Sequence, residues 1–438
     1  MKKLFFQLPL LMLICPILGA EESDLNLDIQ FVTRDKEIFH NQEDVSLTTE
    51  IIKILSDQHY VKKPYSSIRP KTFDLFVERL DPAKNIFLES EVVSYQENLN
   101  LLNGGFKSDL VEAFKLFEIY KNRYLNRHEA QVAFLNQIME KDLLLNRKIR
   151  RDRSEAIRPV ELNNLKMLWE DLIINDVIQL ILSGNSLEEA KEKLLKRLTN
   201  QKNFFSQTRQ EDIFNIYVNS VTSSYGPHTN YMSPKRKEDF DINMSLSLEG
   251  IGALLSSDGM YTTIASLVAG GPAEKSDSIK PNDRIIGVAQ DGDENITDVI
   301  GWRIDDVVKL IRGPKDSKVK LEIIPATSLD DSNTQVIEIT RNIVKLEDQA
   351  AEKNIIEIER SSKKFKIGVI ELPAFYFDFE AYQNRDYNYR SSSKDVKKLL
   401  SELKKENVDG LILDLRNNGG GSLSVSYTHL RAHETRNN

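Results

Sequence analysis

The hydrophobic periodicity of this chain changes near Phe240, and that change limits the available folds more than any other feature. From about residue 47 to 240, apolar residues recur three and four positions apart with charges between them, the spacing of amphipathic helices. Beyond residue 240, short β-branched runs alternate with glycine and proline, as in strands joined by turns. The pattern therefore predicts a multidomain α+β protein.

The first part, residues 21–240, is predicted to be an all-helical N-terminal domain. Long amphipathic stretches such as "LVEAFKLFEIYKNRYLNRHEAQVAFLNQIMEKDLLL" carry the helical spacing. Ser186 and Glu189 have the three-residue separation of a capping box, which predicts a helix beginning directly after Ser186.

The second part, residues 241–345, is predicted to be a small β domain with one main helix. Its strand candidates include "YTTIASLV", "KVKLEIIPA" and "TQVIEITRN". The helix "GWRIDDVVKLIRGP" has apolar residues on one face, and Gly313 with Pro314 ends it.

The third part, residues 346–424, reads as the beginning of an α/β domain. "FKIGVIELPAF" predicts a strand, "DVKKLLSELKKEN" a helix and "GLILDL" a second strand, which together form a βαβ unit with parallel strands. The polar, Tyr-rich segment "DFEAYQNRDYNYRSSS" is interpreted as a surface loop. One such unit does not make a stable domain, so we interpret this part as incomplete.

Composition narrows the cellular setting. The net charge of −8, with cations scattered along helical stretches, gives no basic footprint for nucleic acid. Residues 1–20 have the lysines, apolar run and small residues of a signal peptide, although an uncleaved membrane anchor is the alternative. Because Cys15 is the only cysteine, the mature chain could form no disulfide. A bacterial periplasmic protein fits these features best.

The β domain carries a candidate peptide-binding loop at its first glycines. In "LEGIG", the two glycines allow backbone N–H groups to converge into a nest that holds a carboxylate. A peptide's terminal strand can then add to the neighbouring sheet edge. The helix "GWRIDDVVKLIRG" would form the side of that slot.

Four stretches, "SYGPHTNYMSPKRKEDFDINMSLSLEGIGALL", "VAGGPAEKSDSIKPNDRIIGVAQDG", "VIGWRIDDVVKLIRGPKDSKVKLEI" and "LILDLRNNGGGSL", resemble the tail-specific proteases of the C-terminal processing peptidase family. The resemblance implies a PDZ domain that captures substrate C-termini and a protease domain that cleaves with a Ser/Lys dyad. It implies C-terminal tails of exported proteins as partners, an envelope adaptor as a further partner, and no metal or organic cofactor.

The resemblance also assigns site residues. It implies a tail-binding loop with an apolar pocket, formed by Leu248, Glu249, Gly250, Ile251, Gly252, Val307 and Val308. Ile304 and Ile311 are interpreted as domain core. His228, in the segment "HTNY", is interpreted as a structural link between the helical and PDZ domains rather than as a catalytic base.

The glycines after the last strand resemble the family's oxyanion loop. Gly419, Gly420 and Gly421 would bring a backbone N–H to the tetrahedral intermediate, and such fixed donors stabilise developing charge. Asp414 and Arg416 are interpreted as anchors of this loop through hydrogen bonds.

The dyad itself is predicted to be missing from this chain. The last lysine is Lys405, ahead of the glycines, so none follows them to act as general base. Ser422 and Ser424 lack a nucleophile elbow. His429 and His433 are four residues apart, as in a zinc-protease motif, but Leu430 stands where that motif has its glutamate. Residues 425–438 are interpreted as a non-family, artefactual tail. The expected fragment binds tails without cleaving them; the alternative is a non-enzymatic exported PDZ scaffold.

Overall fold

The computed structural model describes residues 40–101, 105–143, 148–150, 152–293, 295–328 and 333–422. The predicted signal peptide, residues 1–20, and the predicted artefactual tail, residues 425–438, lie outside these ranges. So do Ser424, His429 and His433.

Helices fill the first part of the described chain, as the 3.6-residue periodicity predicts. They are α1 Gln42–Gln58, α2 Tyr65–Leu80, α3 Glu89–Leu101, α4 Phe106–Gln137, α5 Glu140–Leu143, α6 Leu162–Leu182, α7 Leu187–Ser206, α8 Gln210–Tyr225 and α9 Pro234–Ser245. The capping box of α7 is confirmed: Glu189 N–H donates to Ser186 Oγ at 3.3 Å, and Ser186 N–H donates to the Glu189 carboxylate at 2.8 Å.

The helical part contains two hydrophobic cores that share α4. The first core joins α1, α2, the N-terminal half of α4 and α8. The second joins the C-terminal end of α4 with α6 and α7. Leu110, Phe114 and Phe117 on α4 are buried at helical spacing, so one face of this long helix builds the first core.

The strands of the second part form a sheet with the order β2-β3-β4-β6-β7, in which β5 also pairs with β4, and a separate two-stranded ribbon of β1 and β8. The strands are β1 Ser247–Gly250, β2 Ala253–Asp258, β3 Tyr261–Leu267, β4 Arg284–Gln290, β5 Thr297–Asp298, β6 Lys318–Ile324, β7 Gln335–Thr340 and β8 Asn342–Lys345. Two helices accompany them, α10 Pro272–Ser276 and α11 Ile304–Ile311.

The core of the second part lies between the sheet and α11. Apolar residues from β3, β4 and β6 alternate inward along their strands, and α11 adds residues from one face. The helix ends before Gly313 and Pro314, as the sequence predicts. This position places α11 beside β2, the first strand of the sheet.

The third part contains the predicted βαβ unit. It comprises β9 Glu352–Arg360, β10 Lys363–Glu371, α12 Phe379–Gln383, α13 Ser392–Lys405 and β11 Gly410–Asp414. Strands β10 and β11 are parallel, and α13 crosses between them. Leu403 on α13 packs over Gly368, where a β-carbon would lie 2.9 Å from the leucine methyl group. Strand β9, antiparallel to β10, was not predicted.

The predicted fold class is confirmed: a helical N-terminal part, a PDZ-like β part and a mixed α/β part follow one another along the chain. Among the residues that the structure describes, no helix is long and apolar enough to cross a membrane.

Candidate functional site

The turn between β1 and β2 has the backbone geometry of an anion-binding loop. Gly252 adopts φ +76°, a conformation that glycine reaches without strain. The carbonyl oxygens of Ile251 and Gly252 accept hydrogen bonds from Ala273 N–H and Val268 N–H, both at 2.8 Å. Because a trans peptide places N–H opposite C=O, the Gly252 N–H faces away from Ala273. Within the described chain, neither the Ile251 nor the Gly252 N–H has a hydrogen-bond partner.

The loop opens onto a free sheet edge. Strand β2 pairs with β3 on one side, and no described strand pairs with its other side. Leu254 on β2 is 57% exposed, and α11 lies alongside this strand. An unpaired edge next to free N–H donors can accept an extended peptide with its terminal carboxylate in the loop.

The helix side of this groove differs from the sequence assignment at two residues, Val307 and Ile304. Val307, assigned to the apolar pocket, is completely buried in the domain core together with Ile311. Val308 is partly exposed, and so is Ile304, one turn before it. Residues four apart share a helix face, so Ile304 and Val308 line the groove. Ile304 was interpreted as core, but it is partly exposed on the same helix face as Val308.

The remaining predicted loop residues have supporting positions. Leu248 and Glu249 lie on β1, paired with Val344 and Ile343 of β8, so they fix the loop from outside the groove. The Glu249 carboxylate accepts the Lys315 N–H at 3.3 Å. Ile251 is 3% exposed and packs into the core beneath the loop. The structure therefore brings the loop and Val308 to one groove, with Ile251 anchoring the loop.

A cation beside the loop was missed by the sequence analysis. The side chain of Arg312, at the C-terminal end of α11, lies 3.8 Å from where a β-carbon on Gly250 would stand. Its guanidinium pairs with Glu238 at 3.1 Å and Asp239 at 3.4 Å on α9. Cations in the last turn of a helix are an ordinary sequence pattern, so nothing singled this arginine out.

Helix α11 also contacts the helical part of the chain through ion pairs. Arg303 at its N-terminus binds Asp212 at 2.7 Å, and Asp306 binds Arg209. Arg209, Arg303 and Asp306 border a cavity of about 830 Å³, which Trp302, Lys309 and Leu310 also line. The helix that forms one wall of the groove is thus held by the helical domain at its first turn.

Asp414 and Arg416 form a hydrogen-bonded pair at the end of β11, ahead of the glycine loop. Arg416 N–H donates to Asp414 Oδ1 at 3.0 Å, and its guanidinium donates to both carboxylate oxygens, at 2.6 Å for the shortest contact. These hydrogen bonds lower the pKa of Asp414 to about 2. These side-chain hydrogen bonds join the two residues to each other at the end of β11, and none of them reaches the three glycines. The role of Asp414 and Arg416 as anchors of the glycine loop stays a prediction.

The loop is fastened to the segment that follows β10. Gly419 N–H donates to Pro373 O at 3.0 Å, and Phe375 N–H donates to Gly420 O at 2.7 Å. Ser422 N–H donates to Phe375 O at 2.8 Å. Residues 372–375, which we call the strap, thereby hold the loop in the manner of an additional parallel strand.

An inventory of N–H donors distinguishes the three glycines. The Gly419 N–H is bonded to Pro373 O, and the Gly420 N–H is bonded to Asn418 Oδ1 at 2.8 Å. The Gly421 N–H has no hydrogen bond to any described residue, and Gly421 is exposed with φ +134°. Of the three predicted oxyanion donors, Gly421 is therefore the one available to a ligand.

Other candidates for chemistry are dispersed. His228 is exposed, while the neighbouring Thr229 bonds His59 Nε2 at 3.0 Å. Ser422 is 8% exposed, and Lys405 lies on the exposed face of α13. In the described ranges, no group of three His, Cys, Asp or Glu residues is arranged to hold a metal ion.

Comparison with known proteins gives three family models in chain order. They are the tail specific protease N-terminal domain at residues 51–235, the PDZ domain at 239–324 and peptidase family S41 at 366–435. The last range includes part of the segment 425–438. The chain is also 36% identical over 376 residues to the tail-specific protease of Haemophilus influenzae, covering 84% of this chain and 50% of that protein.

The chain belongs to the C-terminal processing protease family. Another member, the carboxy-terminal processing protease CtpA of Bacillus subtilis, is 28% identical over 270 residues, covering 58% of this chain and 50% of that protein. This family member spans about half the length of these two curated relatives, 50% of each.

Two solved structures of the family are also similar to this chain. The PDZ domain of the carboxy-terminal protease from Vibrio cholerae, solved in complex with a peptide, is 54% identical, with a TM-score of 0.22; the match covers 23% of this chain and 100% of that one. The photosystem II D1 C-terminal processing protease is 23% identical, with a TM-score of 0.26; the match covers 52% of this chain and 56% of that one.

Proposed function

We propose that this protein is a serine endopeptidase that recognises the C-terminal tails of exported proteins through its PDZ groove. The observation that carries the proposal is the Gly252 N–H, which bonds no described residue and lies at the end of an edge of β2 that no described strand pairs. A terminal carboxylate bonds this loop, the last residues of the tail add to β2, and the terminal side chain lies between β2 and Ile304 with Val308.

The second half of the proposal concerns hydrolysis. The Gly421 N–H supplies one oxyanion donor, which stabilises charge only as the tetrahedral intermediate forms. The family resemblance implies a Ser/Lys dyad, and in these 438 residues no lysine follows Lys405 to act as its general base. We therefore expect this polypeptide to bind tails without hydrolysing them.

The S41 family match favours the peptidase over a non-enzymatic scaffold, since it covers the part that holds the glycine loop. Export to the periplasm belongs to the same proposal and is supported by the signal-like residues 1–20. A fusion of these residues to a reporter active only after export would test it. An envelope adaptor rests on the family resemblance alone.

Tail recognition is tested with a synthetic peptide that ends in apolar residues, prepared as the free acid and as the amide. A charge-assisted hydrogen bond contributes about 1.5–3 kcal/mol, so we expect the acid to bind at least about tenfold more tightly in fluorescence anisotropy. Equal affinities would contradict tail recognition. Mass spectrometry of the incubated peptide tests the second claim, and turnover above a blank would show that the polypeptide is active.

A further inference from the structure

The strap that holds the glycine loop continues directly into a cluster of aromatic rings. Beyond Phe375, the ring of Phe377 lies 4.9 Å from Phe379, 5.3 Å from Tyr382 and 5.3 Å from Tyr389, measured between centroids. Tyr382 and Tyr389 are themselves 5.2 Å apart. These four residues, which we call the aromatic cluster, contact one another at the distances of favourable ring packing.

The base of this loop is held by hydrogen bonds at both ends. Asp378 N–H donates to Arg390 O at 2.9 Å, and Ser392 N–H donates to Tyr376 O at 3.0 Å. Tyr376 is fully buried, and its hydroxyl donates to Asp395 at 2.6 Å. The cluster is therefore formed before any ligand arrives, which reduces the entropy that binding must overcome.

Two cations fix the far side of the loop. The Arg390 guanidinium donates to both oxygens of Glu347, at 3.0 and 2.6 Å. Lys394 Nζ donates to Tyr387 O at 2.8 Å and lies 3.3 Å from the centroid of the Tyr389 ring. Because Lys394 lies against the Tyr389 ring, the rings of Phe377, Phe379 and Tyr382 form the uncharged part of the contact surface.

Part of the cluster is exposed although its base is rigid. Phe379 is 38% exposed and Tyr382 is 56% exposed, whereas Phe377 and Tyr389 are partly buried beneath them. Grouped, exposed and rigidly held aromatic rings are characteristic of interaction sites, because they contribute contact area at low conformational cost.

The position of the cluster indicates its occupant. Only Tyr376 separates Phe375, which holds the glycine loop, from Phe377, so the two are about 7 Å apart in an extended chain. An extended peptide advances by about 3.3 Å per residue, so a substrate side chain two or three residues from the scissile bond would span the separation between Phe375 and Phe377. Uncharged rings favour an apolar or aromatic side chain.

We propose that the aromatic cluster is a substrate subsite, which binds an apolar or aromatic side chain of the polypeptide lying across Gly421. This inference rests on the proposed peptidase function and adds a second determinant of specificity, separate from the C-terminal residues read by the PDZ groove. Substrates are then selected by their tails and by an apolar residue near the cleaved bond.

The test uses the 438-residue polypeptide with photoreactive benzoylphenylalanine in place of Tyr382. The matched control carries it in place of Tyr60, an 85% exposed aromatic residue of the helical domain. Each is irradiated with a synthetic peptide that contains an internal Phe and ends in apolar residues, and with the same peptide carrying Ser instead. Both peptides are prepared as free acid and amide.

We expect position 382 to crosslink the Phe peptide about three- to tenfold more than the Ser peptide, the selectivity that one aromatic contact provides. Position 60 should not distinguish them. Adding Phe379→Ser should abolish the preference at position 382, with circular dichroism confirming that the fold persists.

The outcomes separate the two proposals. Acid peptides that outcompete amides, without a Phe preference at position 382, would overturn the subsite and leave tail recognition intact. A Phe preference with equal acid and amide yields would overturn tail recognition and leave the subsite intact. Crosslinks from position 382 into the same chain or a second copy would show that other protein covers the rings, and would overturn the subsite.

Discussion

The two glycine loops of this chain offer the same chemistry in different settings. In the PDZ part, the loop ending at Gly252 is fixed by Val268 and Ala273 and lies between a free strand edge and α11. In the peptidase part, the loop ending at Gly421 is fixed by the strap. The strand that precedes this loop, β11, leaves the apolar side chain of Ile412 50% exposed.

The difference shows what a backbone donor can do alone. In the proposed function, the PDZ loop holds a carboxylate that arrives already charged, so N–H groups and an apolar wall would suffice for binding. The peptidase loop would stabilise a charge that appears only during reaction, and it would require a nucleophile and a base to generate that charge. Binding is therefore local in sequence, whereas catalysis combines distant segments.

The largest expected effect is that of Gly421→Ala on the peptidase loop. Its new β-carbon would lie 2.4 Å from Phe375 O, in a backbone conformation with φ +134°. We expect the loop to leave the strap, with strain of about 1–3 kcal/mol giving roughly ten- to hundredfold faster hydrogen exchange at the Ser422 amide. Gly419→Ala is the control, because nothing lies within 4 Å of its β-carbon. Equal exchange in both variants would refute the close contact.

Val307→Ala should affect the stability of the PDZ part more than its tail binding. Removing two methyl groups from a fully buried side chain should lower the free energy of unfolding by about 2 kcal/mol, measured in urea. Val308→Ala should change stability little and weaken tail binding severalfold, since this side chain is partly exposed beside β2. If Val307→Ala instead weakened tail binding and Val308→Ala instead lowered stability, Val307 would be the residue that lines the groove.

Gly252→Ala should reduce tail affinity about tenfold. The substitution places a β-carbon 3.2 Å from Gly271 Cα in a residue with φ +76°, which should rotate the N–H donor. Gly259→Ala is the matched control, with φ +65° and no atom within 4 Å of the new carbon. It should cost similar backbone free energy and leave peptide anisotropy unchanged, and a comparable loss of affinity in both variants would argue against a local role.

The smallest expected effect is the pH dependence of the peptidase loop. Arg416 lowers the pKa of Asp414 to about 2 from an ordinary value near 4. A lowered pKa in the folded state contributes stability above pH ~4, and this contribution is lost as the pH falls through about 2. NMR titration of the Asp414 carboxyl group should place its protonation in that window. In Arg416→Gln the transition should move towards pH 4, and an unchanged midpoint would exclude the arginine as its cause.

Sequence reasoning succeeded where the signal is local. The Ser186 and Glu189 box and the end of α11 before Gly313 each depend on residues a few positions apart. Both are present as predicted.

Sequence reasoning failed where the interacting residues are distant in the chain, or where packing decides which side chain of a helix is buried. Strand β9 is identified by its pairing with β10 rather than by its own alternation. Val307 and Ile304 are both apolar on one helix, and only the position of β2 decides which of them is covered. Among the described residues, the Gly421 N–H is distinguished from those of Gly419 and Gly420 only by the hydrogen bonds that those two make, which the sequence does not reveal.

The ribbon of β1 and β8 has a practical consequence. Ser247 pairs with Lys345, and Leu346 N–H bonds Leu246 O at 2.9 Å, so the chain enters and leaves the PDZ part at adjacent points. A module whose two ends meet can be excised and closed with a short linker, or exchanged for the corresponding module of a relative, without separating the flanking chain. Tail preference could thus be transplanted between proteases as a single cassette.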